Sequence, residues 1–364
     1  MRVLTAFAFL ISSLSAAMAA DWQSSAGPLR VEAVLTGLDE PWGFTFLPDG
    51  EILVTERGGD LLLRRASGDL TQVRHGLSPV VRGQGGLLDV VAARDFAETR
   101  EVFLSFSKQQ WLRGSGTALA VGRLSENGRE LEDMRVIFEI ARGSRGGRHF
   151  GSRVVEAPDG TLYLTVGDRG DRPSAQDLSN ENGSVVRVNR DGSAPADNPF
   201  IGQGQPAIWS YGHRNPQGAA LDLEGNLWVV EHGAAGGDEV NRVRRGANYG
   251  WPVIAYGRHY SGEVIGEGTA KPGMEQPAHY WDPSIAPSGM MVYSGALWPE
   301  WRGDIFVGSL KFDYISRISG AKLTEIEQLQ GPESGRVRDV REGPDGAIWF
   351  LSVHEGALYR VTPG

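Results

Sequence analysis

One unit recurs along this chain: a short apolar strand, a tight turn at Asp-Gly or Glu-Gly, and a second apolar strand ending in a polar loop. It reads PWGFTFLPDGEILVTERGGDLLLRR from Pro41, GSRVVEAPDGTLYLTVGDRGD from Gly151, PQGAALDLEGNLWVVEHG from Pro216 and VRDVREGPDGAIWFLSVHEGALYRV from Val337. Two degenerate copies, GLLDVVAARDFAETREVFLSFS from Gly86 and PSGMMVYSGALWPEWRGDIFVGSL from Pro287, bring the number to six. The Asp-Gly pairs suit turns that need positive φ, and the β-branched and aromatic residues around them suit paired strands. A recurrent unit outranks a domain count taken from length. The expected fold is therefore all-β, a six-bladed β-propeller of four-stranded antiparallel blades.

Residues 21–364 are expected to form a single domain, with residues 29–38 closing the ring as a strand of the last blade. Helical periodicity is nearly absent; the most helix-like stretch, residues 174–182, is short and lies between copies. The insertions at about 125–148 and 247–284 are expected to be loops gathered on the propeller faces. The 50 glycines fit a fold rich in turns.

The chain opens MRVLTAFAFLISSLSAAMAADW. One basic residue, a short apolar run and small residues at Ala17 and Ala19 have the anatomy of a cleaved secretory leader over residues 1–20. A periplasmic or secreted protein is expected, with no membrane span, because no later segment reaches the roughly 18 apolar residues a spanning helix needs. There is no cysteine, so disulfides and thiolate metal sites are excluded. A net charge of −9 argues against a general binder of nucleic acid or anionic membranes, while leaving room for local basic clusters.

No phosphate-binding Gly-Lys-Ser/Thr loop, strand-linked GxGxxG, GxSxG elbow or HExxH helix occurs, so nucleotide-dependent and serine-hydrolase readings lose their main support. Polar residues flanking the repeated strands remain. His149 precedes the third copy in GGRHFGSR, Arg214 and Asn215 the fourth in SYGHRNPQG, Arg336 and Arg338 the sixth in GRVRDV, and Gln84 the second in GQGGLL; Lys311 follows the fifth in VGSLKFDY. Corresponding positions on these five blades converge on one mouth of a central channel. Arg336 and Arg338, two apart, are expected to point to the same side of a strand. Four cations at one mouth of an acidic protein repel one another unless they hold an anion, and guanidinium groups favour planar carboxylates or phosphates.

RHFGSR, YGHRNPQG, EHGAAGGDEVN, NYGWP, PSIAPSG, GSLK and RVRDV, in this order, resemble the soluble aldose sugar dehydrogenases that depend on pyrroloquinoline quinone (PQQ), the glucose/sorbosone dehydrogenase family. The resemblance runs from about Pro41 to Val361. It implies a six-bladed propeller and a planar tricarboxylate cofactor, PQQ, contacted by Gln84, Arg214, Asn215, Lys311, Arg336 and Arg338. It also implies oxidation of an aldose at its anomeric carbon to the lactone, with His149 as general base and Arg214 stabilising negative charge on the quinone oxygen. An unperturbed imidazole is mostly neutral near pH 7, and the adjacent arginines favour that form.

The resemblance further implies a calcium ion at the cofactor, held by backbone carbonyls of Gly233 and Ala234, and a second at Glu239 and Tyr249. Ala234 stands where the family has proline, and Arg148 where its glucose-oxidising members carry an acidic residue before the histidine, so a broad aldose range is expected. The electron acceptor is expected to be a quinone or a redox protein, and the chain a monomer or weak dimer. GDRGD (167–171) reads as a turn. His213 and His232 lie near site motifs without carboxylates at metal-ligand spacing, and Trp209, Trp228 and Trp349 read as core. The alternatives are a non-catalytic propeller that binds a sugar or protein, and a lactone hydrolase. A binding module has no use for a base together with every anion clamp, and a hydrolase of that kind needs a carboxylate-rich metal site rather than a basic mouth.

Overall fold

The computed structural model describes residues 20–364; the expected leader lies outside them apart from Ala20. Each repeat forms one antiparallel sheet. Blade 1 comprises Pro41–Phe46, Ile52–Glu56, Leu61–Arg64 and Leu70–Gln72. Blade 2 comprises Leu87–Ala92, Glu101–Gln110, Gly114–Leu124 and Leu131–Glu139, and blade 3 Val154–Glu156, Leu162–Val166, Ser184–Val188 and Ile208–Tyr211. Blade 4 is built from Pro216–Leu221, Leu227–Glu231, Asp238–Arg242 and His279–Trp281, and blade 5 from Pro287–Val292, Ile305–Ser309, Ile315–Ser319 and Thr324–Leu329.

Blade 6 closes the ring. Its strands Val337–Glu342, Ile348–Ser352 and Ala357–Pro363 are joined by Gly27–Thr36, as residues 29–38 were expected to do. A fifth strand, Ala20–Ser24, then pairs with Gly27–Thr36, so this sheet has five strands rather than four. The first strand of every blade packs against the first strands of its neighbours, including blade 6 against blade 1. Those inner strands line the central axis.

The turns between first and second strands carry the repeat. Gly50, Gly160, Gly225 and Gly346 all sit at φ between +77° and +84°. A Cβ at Gly160 would meet nothing within 4 Å, so dihedral angle rather than crowding selects glycine there. Of the residues before them, only Asp49 also has positive φ.

Apolar side chains from facing blades form six principal clusters, one in each interface. Leu53, Leu63, Val90 and Leu104 join blades 1 and 2, for example, and Phe44, Val54, Trp349 and Leu351 join blades 6 and 1. Trp349 is buried, while Trp209 and Trp228 are half-buried against two of these clusters.

Two expectations are corrected. The insertions are not loops throughout: Leu131–Glu139 and His279–Trp281 are the outermost strands of blades 2 and 4, pairing edges that would otherwise expose a row of N–H and C=O groups. Arg336 lies before its strand, with φ +54°, so strand alternation is not what turns it to the same side as Arg338, although both line one cavity. Residues 172–176 form a short 3₁₀ turn. Among the described residues no helix is long and apolar enough to cross a membrane.

Candidate active site

The channel is plugged midway by a buried ion cluster. Arg153 Nη1 lies 2.9 Å from both Asp89 Oδ1 and Asp339 Oδ2, and Arg341 reaches the same two carboxylates at 2.6 and 2.9 Å. Its members come from the inner strands of blades 2 and 6 and the entrance to blade 3. A cavity of about 270 Å³ touches Arg153, Asp339 and Arg341 at one end. At the other end opens a larger cavity of about 590 Å³.

The larger cavity gathers Gln84, Lys311, Arg336 and Arg338 from four different linkers or strands. Arg57, Gln217, Glu40, Asp313 and His232 line it too. Arg57 and Gln217 went unrecognised in the sequence. Arg57 pairs with Glu40 and donates to Gly85 O. Gln217 Oε1 accepts from Arg338 Nη1 at 2.8 Å. The Arg336 side chain is anchored on Leu310 O, and Asp313 accepts from its backbone N–H. Burial draws the Arg338 guanidinium down to about 9, and the charges of Arg336, Arg153 and Arg57 act in the same direction against Asp339. Four cations against two carboxylates leave an excess of positive charge that an anion would relieve.

His149 is buried beside this cavity, just outside its lining, and is tied to it through Gln84, whose Oε1 accepts from the His149 backbone N–H at 2.7 Å. Its φ is +57°. The chain can pass so close because residue 83 is glycine: a Cβ there would fall 2.2 Å from Gly147 O. The imidazole Nδ1 lies 2.6 Å from Asp168 Oδ1. The same Oδ1 accepts from Gly170 N at 2.7 Å, and Oδ2 from Trp251 Nε1 at 2.8 Å.

Burial pushes His149 below the ordinary imidazole range; Asp168 opposes this, while Arg214 and Arg148 reinforce it. Burial works against ionised Asp168 as well, but its hydrogen bonds with His149, Gly170 and Trp251 hold the carboxyl below the usual carboxylate range. The pair therefore rests as a neutral imidazole and a carboxylate. With the proton on Nδ1 facing Asp168, Nε2 is left as the acceptor. GDRGD is the turn expected, with positive φ at Arg169 and Gly170, yet it also delivers Asp168. The spacing of 19 residues hid that link; the position of Asp168 directly after the strand Leu162–Val166, on the same end of the blade as His149, was its available signal.

Arg214 and Asn215 enter from the neighbouring linker. Arg214 stacks on Trp251 at 5.3 Å and donates from Nη1 to His232 O. Its Nε is buried without a partner among the described residues, as is Nδ2 of Asn215, whose Oδ1 accepts from Gly151 N. Orphaned buried donors on two adjacent residues fit a group that brings acceptors of its own. His213, expected to lack a carboxylate, has one: Nδ1 lies 2.7 Å from Glu231 Oε1, and Nε2 2.9 Å from Ser210 Oγ. The antiparallel return of the chain brings Glu231 back across 18 residues. His232 bonds to Pro287 O and is pulled down to about 3, chiefly by burial and then by Arg214.

Gly233, Ala234, Glu239 and Tyr249 surround a separate small void together with Arg214, Glu231 and Trp251. Burial, then the neighbouring Glu231 charge, pushes Glu239 up to about 8, and Asn241 Nδ2 donates to both carboxylates. This oxygen-rich donor set fits calcium. The Tyr249 phenol does not join it, since it donates to Arg242 O and accepts from Arg244 N; only its main-chain carbonyl remains for a cation. Among the described residues no cluster of three or more His, Asp or Glu side chains could hold a metal, so carbonyls must complete any such site.

Comparison with known proteins identifies the family to which this propeller belongs. The family model described as Glucose / Sorbosone dehydrogenase matches residues 38–360. Aldose sugar dehydrogenase YliI of Escherichia coli (strain K12) is 40% identical over 365 residues, covering 98% of each chain. The crystal structure of the soluble E. coli enzyme in its apo-form superposes with a TM-score of 0.88, at 40% identity, over 92% of this chain and 100% of that one. The PQQ-bound aldose sugar dehydrogenase from Streptomyces coelicolor matches with a TM-score of 0.74 at 27% identity, over 92% and 98%. With a family match across nearly the whole propeller and a relative of 40% identity over 98% of both chains, the chain belongs to the glucose/sorbosone dehydrogenase family as a homologue of its PQQ-dependent aldose sugar dehydrogenases.

Proposed function

We propose that this chain is an exported quinoprotein that oxidises aldose sugars at the anomeric carbon to lactones and passes the electrons to a quinone or redox protein. The observation that carries the reading is the buried His149–Asp168 pair standing beside a cavity with an excess of cationic side chains. Gln84, Arg214, Asn215, Lys311, Arg336 and Arg338 would hold PQQ, which when bound supplies the two-electron oxidant. Calcium would lie in the small void, where the Gly233 and Ala234 carbonyls, Glu239 and the Tyr249 carbonyl converge, and when bound would supply a local positive charge.

His149 Nε2 takes the proton from the anomeric hydroxyl. Asp168 fixes the imidazole tautomer and stabilises the imidazolium that forms, without itself accepting the proton. Arg214, buried and with an unspent Nε–H, supplies a preorganised donor where negative charge develops. The arginine and lysine side chains neutralise and orient a planar tricarboxylate. The alanine at 234 leaves the main-chain carbonyl available, and a leader over residues 1–20 supports export.

The test is reconstitution. Purified protein is given PQQ and calcium, and reduction of a soluble dye is followed with a panel of aldoses. Turnover that requires both additions and extends over several sugars is expected; tight PQQ binding without turnover on any aldose would contradict the reading.

A further inference from the structure

Blade 2 carries the longest hairpin of the propeller, Glu101–Gln110 and Gly114–Leu124, and its tip ends in Trp111 and Leu112. These adjacent apolar side chains are 86% and 69% exposed. The base beneath them is firmly tied. Gln110 Nε2 donates to Ile140 O and its Oε1 accepts from Gly143 N; Gln109 Nε2 donates to Gly114 O, and Arg113 Nη1 to Ala141 O. The amides are spent within the protein and offer little to a polar ligand such as a sugar. What the tip presents outward is apolar.

Its surroundings are cationic. A Cβ on Gly114 would fall 2.2 Å from Ser144 O, which places the tip beside the segment bearing Arg142, Arg145 and Arg148. The close approach of Gly83 to Gly147 adds Arg82 and half-exposed Val81 to the same rim. Lys108 pairs with Glu139 and Arg142 with Asp171. Arg82, Arg113, Arg145 and Arg148 have no carboxylate partner among the described residues. This local positive field stands out on a chain of net charge −9.

We propose that the Trp111–Leu112 tip and its arginine rim dock this protein on an anionic lipid surface. Trp111 borders an open groove of about 520 Å³ that is otherwise lined mainly by polar and charged side chains, and two apolar side chains on a hairpin tip cannot by themselves supply the roughly 1,000 Å² of matched contact that a specific protein partner requires. A headgroup layer needs no matching shape: indole and leucine enter the interface, and each nearby arginine strengthens attraction to anionic lipid by about fivefold. The tip stands on the same end of the propeller as His149, because Arg169 bonds both Ser115 O and Gly146 O. Docking turns the cavity mouth toward the lipid, where an apolar electron acceptor dissolves; only this consequence rests on the proposed reaction.

Co-sedimentation tests the proposal, using phosphatidylcholine vesicles with and without about 30 mol% phosphatidylglycerol at low ionic strength. The wild-type protein should bind the anionic vesicles, bind the neutral ones weakly, and be released by about 0.5 M salt. Trp111→Ser/Leu112→Ser and Arg113→Glu/Arg145→Glu should each weaken anionic-vesicle binding at least tenfold, with the thermal transition and any turnover with soluble dye unchanged. Failure to sediment with anionic vesicles, as expected if the rim serves an acidic protein instead, would overturn the proposal. So would binding that survives the Trp111/Leu112 substitutions intact.

Discussion

Asp168 holds His149 by a 2.6 Å contact to Nδ1 while its second oxygen accepts from Trp251, so the imidazole is oriented by a carboxylate that is itself oriented. Replacing Asp168 by Asn keeps the shape but permits the opposite tautomer, with the proton on the nitrogen that must accept. We expect kcat to fall by about 10²- to 10⁴-fold, the usual reach of general acid–base catalysis. KM for the sugar should change little. Steady-state kinetics of the reconstituted variant checks this.

The pH profile follows from the same pair. Activity needs neutral His149, and burial places its pKa below 6.5, so the acid limb of kcat/KM should lie below pH 6.5, with a plateau above. Arg148 disfavours the imidazolium; Arg148→Gln should therefore move the limb to higher pH. Asp168 favours the imidazolium, so its removal should move the limb lower. A pH–rate series on the three proteins reads both shifts.

The cationic cavity should behave as an anion receptor whose charges cost the empty protein something. Arg338→Gln should weaken PQQ binding about tenfold or more, the order of one charge-assisted hydrogen bond. The same change should leave the thermal stability of the cofactor-free protein unchanged or raised, because Arg336, Arg153 and Arg57 lose a like charge. Calorimetric titration and thermal melts separate the two effects.

The channel plug should be a stability element. Asp89, itself fully buried, bonds both the buried Arg153 and the partly exposed Arg341. Asp89→Asn leaves buried guanidinium charge short of a carboxylate, which costs about 3–5 kcal/mol. Chemical denaturation should show that loss.

The propeller was legible because Asp-Gly turns and apolar strands recur, and because a ring must close on itself, which singled out residues 29–38. The strand Ala20–Ser24 carries no such signal: its pairing depends on a hairpin at the very edge of blade 6. At the site, three of the four cations read at one mouth, Lys311, Arg336 and Arg338, do line the larger cavity, whereas Arg214 borders the smaller void and Arg57, unread in the sequence, takes the fourth place. Pairings between distant segments were not readable. Asp168 and His149, or Glu231 and His213, are joined only by the antiparallel return of a blade. The reasoning for Arg336 also failed, because residue 336 adopts a left-handed turn before the strand begins.

The most direct test is His149→Gln, compared with the wild-type protein for both PQQ affinity and turnover after reconstitution with calcium. The account predicts affinity within a few-fold of wild type and a loss of turnover of about 10²-fold or more. Turnover retained by the glutamine variant would contradict it.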